Sequence, residues 1–168
     1  MTKRPPFSFQ AVSELLAYDP ETGIFRCKVD CGNGVRAGSI AGGVNRGYRL
    51  ISVLGRRLKA HRLAWLLSYG VLPPSQIDHI NCDGRDNRLS NLRLATQTLN
   101  NANRRAQARA VHNLPKGVHA TDKPNRFRAR IKANGRRIDL GRFDTVAEAR
   151  QAYMAAAIEL FGPFAREE

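Results

Sequence analysis

Near the start of the chain, Phe9, Val12, Leu15 and Leu16 recur at helical spacing behind Ser8, a residue able to accept a first-turn amide, so a short capped helix is predicted. Asp19-Pro20-Glu21-Thr22-Gly23 reads as the turn that ends it, and a strand follows through Ile24 and Phe25. Residues 30–47 carry glycines at 32, 34, 38, 42, 43 and 47, which suits a loop with at most one short strand. Residues 48–54 then read as a strand, and Gly55-Arg56 as a hairpin turn into 57–60. The apolar density of 61–69 predicts a buried helix stopped by Gly70. Pro73-Pro74 closes this first part.

From residue 76 to about 109 the pattern thins. Asparagines and arginines crowd around the short anchors Ile77, Ile80, Leu89, Leu92 and Leu94. Asp83-Gly84 supplies a tight turn, 92–95 a short strand, and Thr96 the cap of a helix. On that helix Leu99, Ala102, Ala106 and Ala110 share one face, and Asn100, Arg104 and Gln107 another. So little apolar material cannot stand alone; it must pack on neighbours or be organised by a metal. Beyond a linker the alternation over 126–132 is strict, with Phe127, Ala129 and Ile131 on one side and Arg126, Arg128, Arg130 and Lys132 on the other. Asn134-Gly135 is a strong hairpin signal that returns the chain over 136–143. Thr145 and Glu148 form a capping box for a helix to about residue 161, with an apolar face of Ala149, Ala152, Tyr153, Ala156 and Leu160.

Charge changes the picture most. The 168 residues hold 28 Lys+Arg against 14 Asp+Glu, a net +14, and residues 85–142 alone carry 15 basic and 3 acidic side chains, hence +12. A stripe of that kind is the footprint of a polyanion, since neutralised phosphates release condensed counterions. The longest apolar run, 152–158, is far below the roughly 18 residues of a membrane span, so a soluble, cytoplasmic protein without membrane contact is expected. Cys27, Cys31 and Cys82 are odd in number, which argues against a disulfide framework. Cys27 and Cys31 have zinc-like spacing, yet the second pair of ligands is missing and structural zinc is not expected.

The densest polar constellation is Asp78-His79-Ile80-Asn81, Asp86-Asn87-Arg88-Leu89-Ser90-Asn91-Leu92-Arg93 and Asn100-Asn101-Ala102-Asn103. Asp78 offers a hard oxygen ligand, His79 a base able to work near neutral pH, and Asn100 a second oxygen. Singly, such residues more often cap turns or sit satisfied in a core. Together, with His61-Arg62-Leu63-Ala64 and Ala95-Thr96, the stretch resembles the HNH nucleases and their ββα-metal unit, and is close to the phage-type homing and free-standing endonucleases. Tyr18-Asp19-Pro20-Glu21-Thr22-Gly23 and Gly47-Tyr48-Arg49 are similar to the leader of that group. The three name-giving positions read His79, Asn91 and Asn100, 12 and 9 residues apart, and the last departs from the commoner histidine.

The resemblance implies that Asp78 and Asn100 hold a divalent cation, and an all-oxygen pair favours Mg2+ or Mn2+ over zinc. It implies that His79 takes a proton from the water attacking phosphorus, while the cation neutralises the phosphate and the leaving 3′ oxygen, giving 5′-phosphate and 3′-hydroxyl ends. It gives Asn91 the task of holding the loop and orienting His79 through the backbone. Asn87 and Asn103 fall to supporting roles and His61 to the core.

Lys116-Gly117-Val118, Phe127-Arg128-Ala129-Arg130-Ile131, Leu140-Gly141-Arg142-Phe143, Thr145, Glu148-Ala149 and Ala152-Tyr153 resemble the AP2 DNA-binding domain over 114–165. That resemblance implies a three-stranded sheet in the major groove, with Arg126, Arg128, Arg130, Lys132, Arg136 and Arg137 touching phosphates and bases. Four cations on one side of one strand repel one another without a partner, which leads to the same place. Arg104, Arg105 and Arg109 are expected to hold the DNA backbone near the cut.

The organisation expected is an α+β chain: an HNH nuclease domain over 1–110 with its ββα-metal core at 76–109, a linker at 111–115, and an AP2-like sheet and helix at 116–165. Such a chain nicks double-stranded DNA as a monomer or weak dimer, uses no small-molecule cofactor beyond the cation, and is of phage or prophage type. The rival reading is a DNA-binding regulator with an inactive HNH relic, against which the joint retention of Asp78, His79 and Asn100 argues. An RNA-binding module is disfavoured by the scarcity of outward aromatics for stacking.

Overall fold

The computed structural model describes residues 7–31, 35–104 and 114–166. The chain divides into two compact units, 1–94 and 95–168.

In the first unit Ser8 caps α1 (Phe9–Leu15), its side chain accepting the Ala11 amide at 3.2 Å. The helix stops a residue sooner than its apolar spacing predicts. Leu16 is already extended and opens β1 (Leu16–Asp19), which pairs antiparallel with β2 (Ile24–Cys27). The turn at 20–23 therefore closes a hairpin rather than ending a helix. Buried Leu16 satisfies both periods, and pairing with Cys27 decides between them. The glycine-rich stretch contributes one short strand, β3 (Gly43–Asn45), beside β4 (Tyr48–Val53) and β5 (Arg56–Lys59) in an antiparallel sheet. α2 (Ala60–Tyr69) follows and ends at Gly70. Val12, Phe25, Ile51 and Leu63 form the centre of one core, joined by Ile77 of β6 (Gln76–His79) and Leu92 of β7 (Leu92–Ala95).

β6 and β7 form a two-stranded sheet joined by a long polar loop, 80–91, which ends in a 3-10 turn at Leu89–Asn91. Two other elements clasp this loop. The Tyr18 hydroxyl donates to the Asn87 carbonyl at 2.8 Å, and the Leu89 amide donates to the Pro20 carbonyl at 2.9 Å. Burial pushes the Tyr18 pKa up, so the phenol stays a donor. Gly23, at φ +71°, lies so close that an added Cβ would fall 2.5 Å from the Arg88 nitrogen and 2.6 Å from the Asn87 carbonyl carbon. On another side, a Cβ on Gly84 would meet the Gly47 carbonyl and the Tyr48 ring, both at 2.6 Å.

The second unit begins with α3 (Gln97–Asn103), whose cap Thr96 accepts the Leu99 amide at 3.3 Å. Arg104 is extended, so the helix ends earlier than its predicted face; Ala106, Gln107 and Ala110 lie outside the described residues. Leu99 and Ala102 pack with Ile131, Tyr153 and Phe161. Lys116 donates to the carbonyls of Asn101 at 3.1 Å, of Arg104 at 2.8 Å, and of Ala102, placing a cation on the orphan carbonyls of the helix end. A segment poor in apolar side chains is thus organised by neighbours within its own unit.

β8 (Val118–Ala120), β9 (Phe127–Ala133) and β10 (Arg136–Phe143) make an antiparallel sheet in the order β10-β9-β8. Asn134 and Gly135 both take positive φ in the β9–β10 turn. α4 (Val146–Phe161) starts with the Thr145–Glu148 capping box. It buries Ala149, Tyr153, Ala157 and Phe161, a strict four-residue step that leaves Leu160, predicted on the inner face, exposed on the flank. No helix among the described residues is long and apolar enough to cross a membrane.

The clasp around the loop is testable. Gly23→Ala meets both a left-handed φ and backbone at 2.5 Å, so it is expected to lower unfolding free energy by about 2–4 kcal/mol. Gly38→Ala, at φ +83° with open space around it, should cost only about 1 kcal/mol. Urea unfolding of the two variants checks the difference, and equal losses would refute the close approach.

Candidate active site

Asp78 and His79 end strand β6, and both are buried, each 6% exposed. Successive strand residues project to opposite faces, so the two meet different neighbours. Across the sheet, Arg93 of β7 donates from Nε to Asp78 Oδ2 at 2.9 Å. Breaking such a buried pair would leave one partner without its hydrogen-bonded match. Arg93 has no role in the sequence reading of the Asn91-Leu92-Arg93 motif; its charge, one residue into the predicted strand 92–95, is the available signal.

Nε2 of His79 lies 3.5 Å from Oδ1 of Asn87, whose Nδ2 donates to the Arg85 carbonyl at 2.9 Å. Asn87 is only 1% exposed. In the tautomer that offers Nε2–H to Asn87, Nδ1 is the basic nitrogen. Burial holds the His79 pKa below the usual imidazole value, with the Asn87 contact and the Asp78 charge opposing it.

Asn91 is the clamp of the loop. Its Oδ1 accepts the Asn81 amide at 3.0 Å, and its Nδ2 donates to Asn81 Oδ1 at 3.0 Å and to the Asp86 carbonyl at 2.8 Å. Its carbonyl also accepts the Ile80 amide at 2.9 Å. The side-chain amide of Asn87 thus lies beside the His79 ring, while Asn91 fixes the loop backbone. At the outer end, Arg88 pairs with Asp86 at 2.7 Å and brings that carboxyl down to about 2.

His61, expected in the core, is indeed 6% exposed, but it sits among site residues. Its ring meets that of His79 edge-on, centroids 4.9 Å apart, and that of Tyr48 at 5.9 Å; Tyr48 and His79 are 6.0 Å apart. Lys59 Nζ stands 4.1 Å over the Tyr48 ring. Burial first, then the neighbouring His79 and Lys59, lower the His61 pKa to about 3. Its Nδ1 is buried without a hydrogen-bond partner among the described residues.

Asn100 lies on α3 in the second unit, held in helical register by its amide to the Thr96 carbonyl at 2.9 Å; Asn103 on the same helix is buried. Arg104 is exposed just past the helix, and Arg105 and Arg109 lie outside the described residues. Among the described residues, no three His, Cys, Asp or Glu side chains come together as a metal cluster. Asp78 carries a carboxylate oxygen and Asn100 an amide oxygen, both hard donors. A groove of about 320 Å3 lined by Cys27, Cys31, Val35, Leu50 and Arg57, among others, includes none of these residues.

On the second unit, register settles which cations share a face. Arg128 lies opposite Arg142, Arg130 opposite Asp139, and Lys132 opposite Arg137, whereas Arg136 lies opposite buried Ala133 on the other face at the hairpin edge. The sequence reading weighed the mutual repulsion of these cations, and the structure adds two carboxylates beside them. Asp139 pairs with Arg128, and Asp144 pairs with Arg126 at 2.7 Å, so two internal carboxylates offset the repulsion. The same pairing brings the Asp139 carboxyl down to about 2.

Comparison with known proteins places this geometry in a class. Residues 58–102, from β5 through α3, match the HNH endonuclease family, so the chain carries an HNH endonuclease-family domain. An uncharacterized HNH endonuclease of Acanthamoeba polyphaga mimivirus is 34% identical over 121 residues, which cover 71% of this chain. The chain spans 61% of that relative's length. No solved structure matches the chain.

Burial of His61 predicts acid sensitivity. Its folded pKa, about 3, lies below the unfolded 6.5, so between those values the unfolded chain binds a proton that the folded one excludes, and stability falls as pH falls. Urea unfolding should lose about 2 kcal/mol between pH 6.5 and 5, and His61→Phe should flatten that dependence. An equally steep profile in the variant would contradict the assignment.

Proposed function

We propose that the chain is a divalent-metal-dependent DNA endonuclease that nicks double-stranded DNA and leaves 5′-phosphate and 3′-hydroxyl ends. The observation that carries the reading is the coincidence of the HNH endonuclease match over 58–102 with a buried, ion-paired Asp78 beside a buried His79 whose ring is flanked by Asn87. Asp78 and Asn100 are the residues that would hold the cation. When bound, Mg2+ or Mn2+ supplies the charge that offsets the developing phosphorane and the leaving oxygen.

The chain's own residues do the rest. Arg93 pairs with Asp78 in its buried position. Asn87 receives Nε2–H of His79, so that Nδ1 takes the proton from the attacking water. A depressed pKa keeps that nitrogen unprotonated at neutral pH. Asn91 holds the loop in the shape these contacts need.

Targeting falls to the C-terminal sheet, read as an AP2-like module over 116–165 joined to the nuclease part (1–110) through 111–115. Arg126, Arg128, Arg130, Lys132 and Arg137 would face DNA, with Arg136 at the hairpin edge and Arg104, Arg105 and Arg109 on the connecting stretch. One site per chain suits nicking by a monomer or weak dimer.

Supercoiled plasmid at low salt tests this. Wild type with Mg2+ is expected to yield relaxed circles, EDTA to abolish them, and His79→Ala to slow them about 10²–10⁴-fold. Asn100→Ala should raise the Mg2+ concentration needed. Tight, salt-sensitive binding without cleavage by wild type would instead establish a DNA-binding regulator.

A further inference from the structure

We propose that Arg46, Arg57 and Lys59 form a DNA-backbone-binding face of the first unit, built on its three-stranded sheet and leading to His79. The inference rests on the nuclease reading for the identity of the polyanion, and goes beyond it in placing phosphate contacts outside residues 104–137. Between Asp30 and Asp78 the sequence holds seven Lys and Arg side chains and no Asp or Glu. Register sorts those on the sheet. Ile51 and Val53 of β4 are buried, so Tyr48, Leu50 and Ser52 occupy the opposite face. Arg57 lies opposite Ser52 and Lys59 opposite Leu50, which puts both cations on that outer face. Arg49 and Arg56 belong to the inner face, where the fold uses them. Arg49 donates to the carbonyls of Ala41 and Gly42 at 3.2 and 3.1 Å, and Arg56 stands 5.1 Å over the Phe7 ring.

The outer cations serve no comparable packing. Arg46, Arg57 and Lys59 are exposed, and none forms an ion pair with a carboxylate among the described residues. Lys59 Nζ is held 4.1 Å over the Tyr48 ring, and that ring lies 6.0 Å from the ring of His79. Aromatic support of this kind places the ammonium before a phosphate arrives, which lowers the cost of ordering it on binding. Arg46 stands at the tip of the β3–β4 turn beside Tyr48, at φ +47°, followed by Gly47 at +81°. Two-residue turns with both φ positive favour Asn, Asp or Gly at the first place, so an arginine there is held against its backbone preference. Like charges gathered without countercharge repel one another, and a strand of phosphates relieves them.

Binding and stability measured on the same variants decide the matter. The probe is a short fluorescein-labelled duplex of arbitrary sequence, titrated with the full chain in EDTA across a series of salt concentrations. Lys59→Gln, Arg57→Gln and Arg46→Asn are each expected to weaken binding several-fold and to reduce the slope of log affinity against log salt by about 1. Lys59→Arg should restore both. Arg46→Asn should at the same time raise the urea midpoint, because asparagine tolerates the left-handed turn better, so its loss of binding is separated from loss of fold. Lys28→Gln removes the same charge from a lysine bonded to the Ser13 carbonyl and should leave the slope unchanged. In Mg2+, single-turnover nicking by Lys59→Gln should need a higher half-saturating DNA concentration, with the maximal rate within about threefold of wild type. If wild type binds in EDTA yet never nicks, the nuclease reading falls and the face is still judged by its slopes. Unchanged slopes in Lys59→Gln and Arg46→Asn, or an equal drop in Lys28→Gln, would overturn the proposal.

Discussion

The site depends on one constraint, the polar satisfaction of the loop between β6 and β7. Residues 80–91 contain too few apolar side chains to fold by burial, so their backbone groups must find partners. Asn91 supplies two of them from a single side chain, taking the Asn81 amide and giving to the Asp86 carbonyl. Asn81, Asp83 and Asp86 side chains take the amides of Asp83, Arg85 and Arg88, and two further bonds come from afar: Tyr18 to the Asn87 carbonyl and Pro20 to the Leu89 amide. Polar networks of this kind specify one geometry when every member is satisfied, and half-satisfied ones cost more than they give. Asn87 reaches His79 only because both ends of its segment are tied.

That arrangement explains why a leader hairpin remote in sequence belongs with the chemistry. The Tyr18–Gly23 segment touches no reacting group. It presses on the backbone of Asn87 and Arg88, with Gly23 the only residue type that tolerates both the conformation and the approach. Tyr48 and Gly84 perform the matching task on another side. Buried Asp78 is held by a separate contact, the ion pair with Arg93 across the two-stranded sheet.

Features set by local chemistry were legible in the sequence. Ser8, Thr96 and Thr145 cap the helices they precede, and Asn134-Gly135 turns the hairpin, because each acts within a few residues. Asp78, His79, Asn91 and Asn100 were visible as a spaced motif. Leu16 was misread since it fits helix and strand periods alike, and only pairing with Cys27 separates them. Leu160 was placed inward because a 3.6-residue period admits either flank, and the sheet selects the 149–153–157–161 stripe. The contacts of His61 with His79 and of Tyr18 with Asn87 join residues 18 and 69 positions apart, beyond any periodicity. The carboxylates of Asp139 and Asp144 were counted in the charge balance, but their pairing with Arg128 and Arg126 depends on register and a bulge.

The central claim is hydrolysis by a water activated at His79, with the leaving oxygen on the 3′ side. It is tested most directly by the chemistry of the ends. Plasmid relaxed by the protein in Mg2+ and then freed of it should be resealed to a covalently closed circle by DNA ligase, which joins only a 5′-phosphate to a 3′-hydroxyl. Nicks that resist ligase until a 3′-phosphatase and a 5′-kinase have acted would contradict the account.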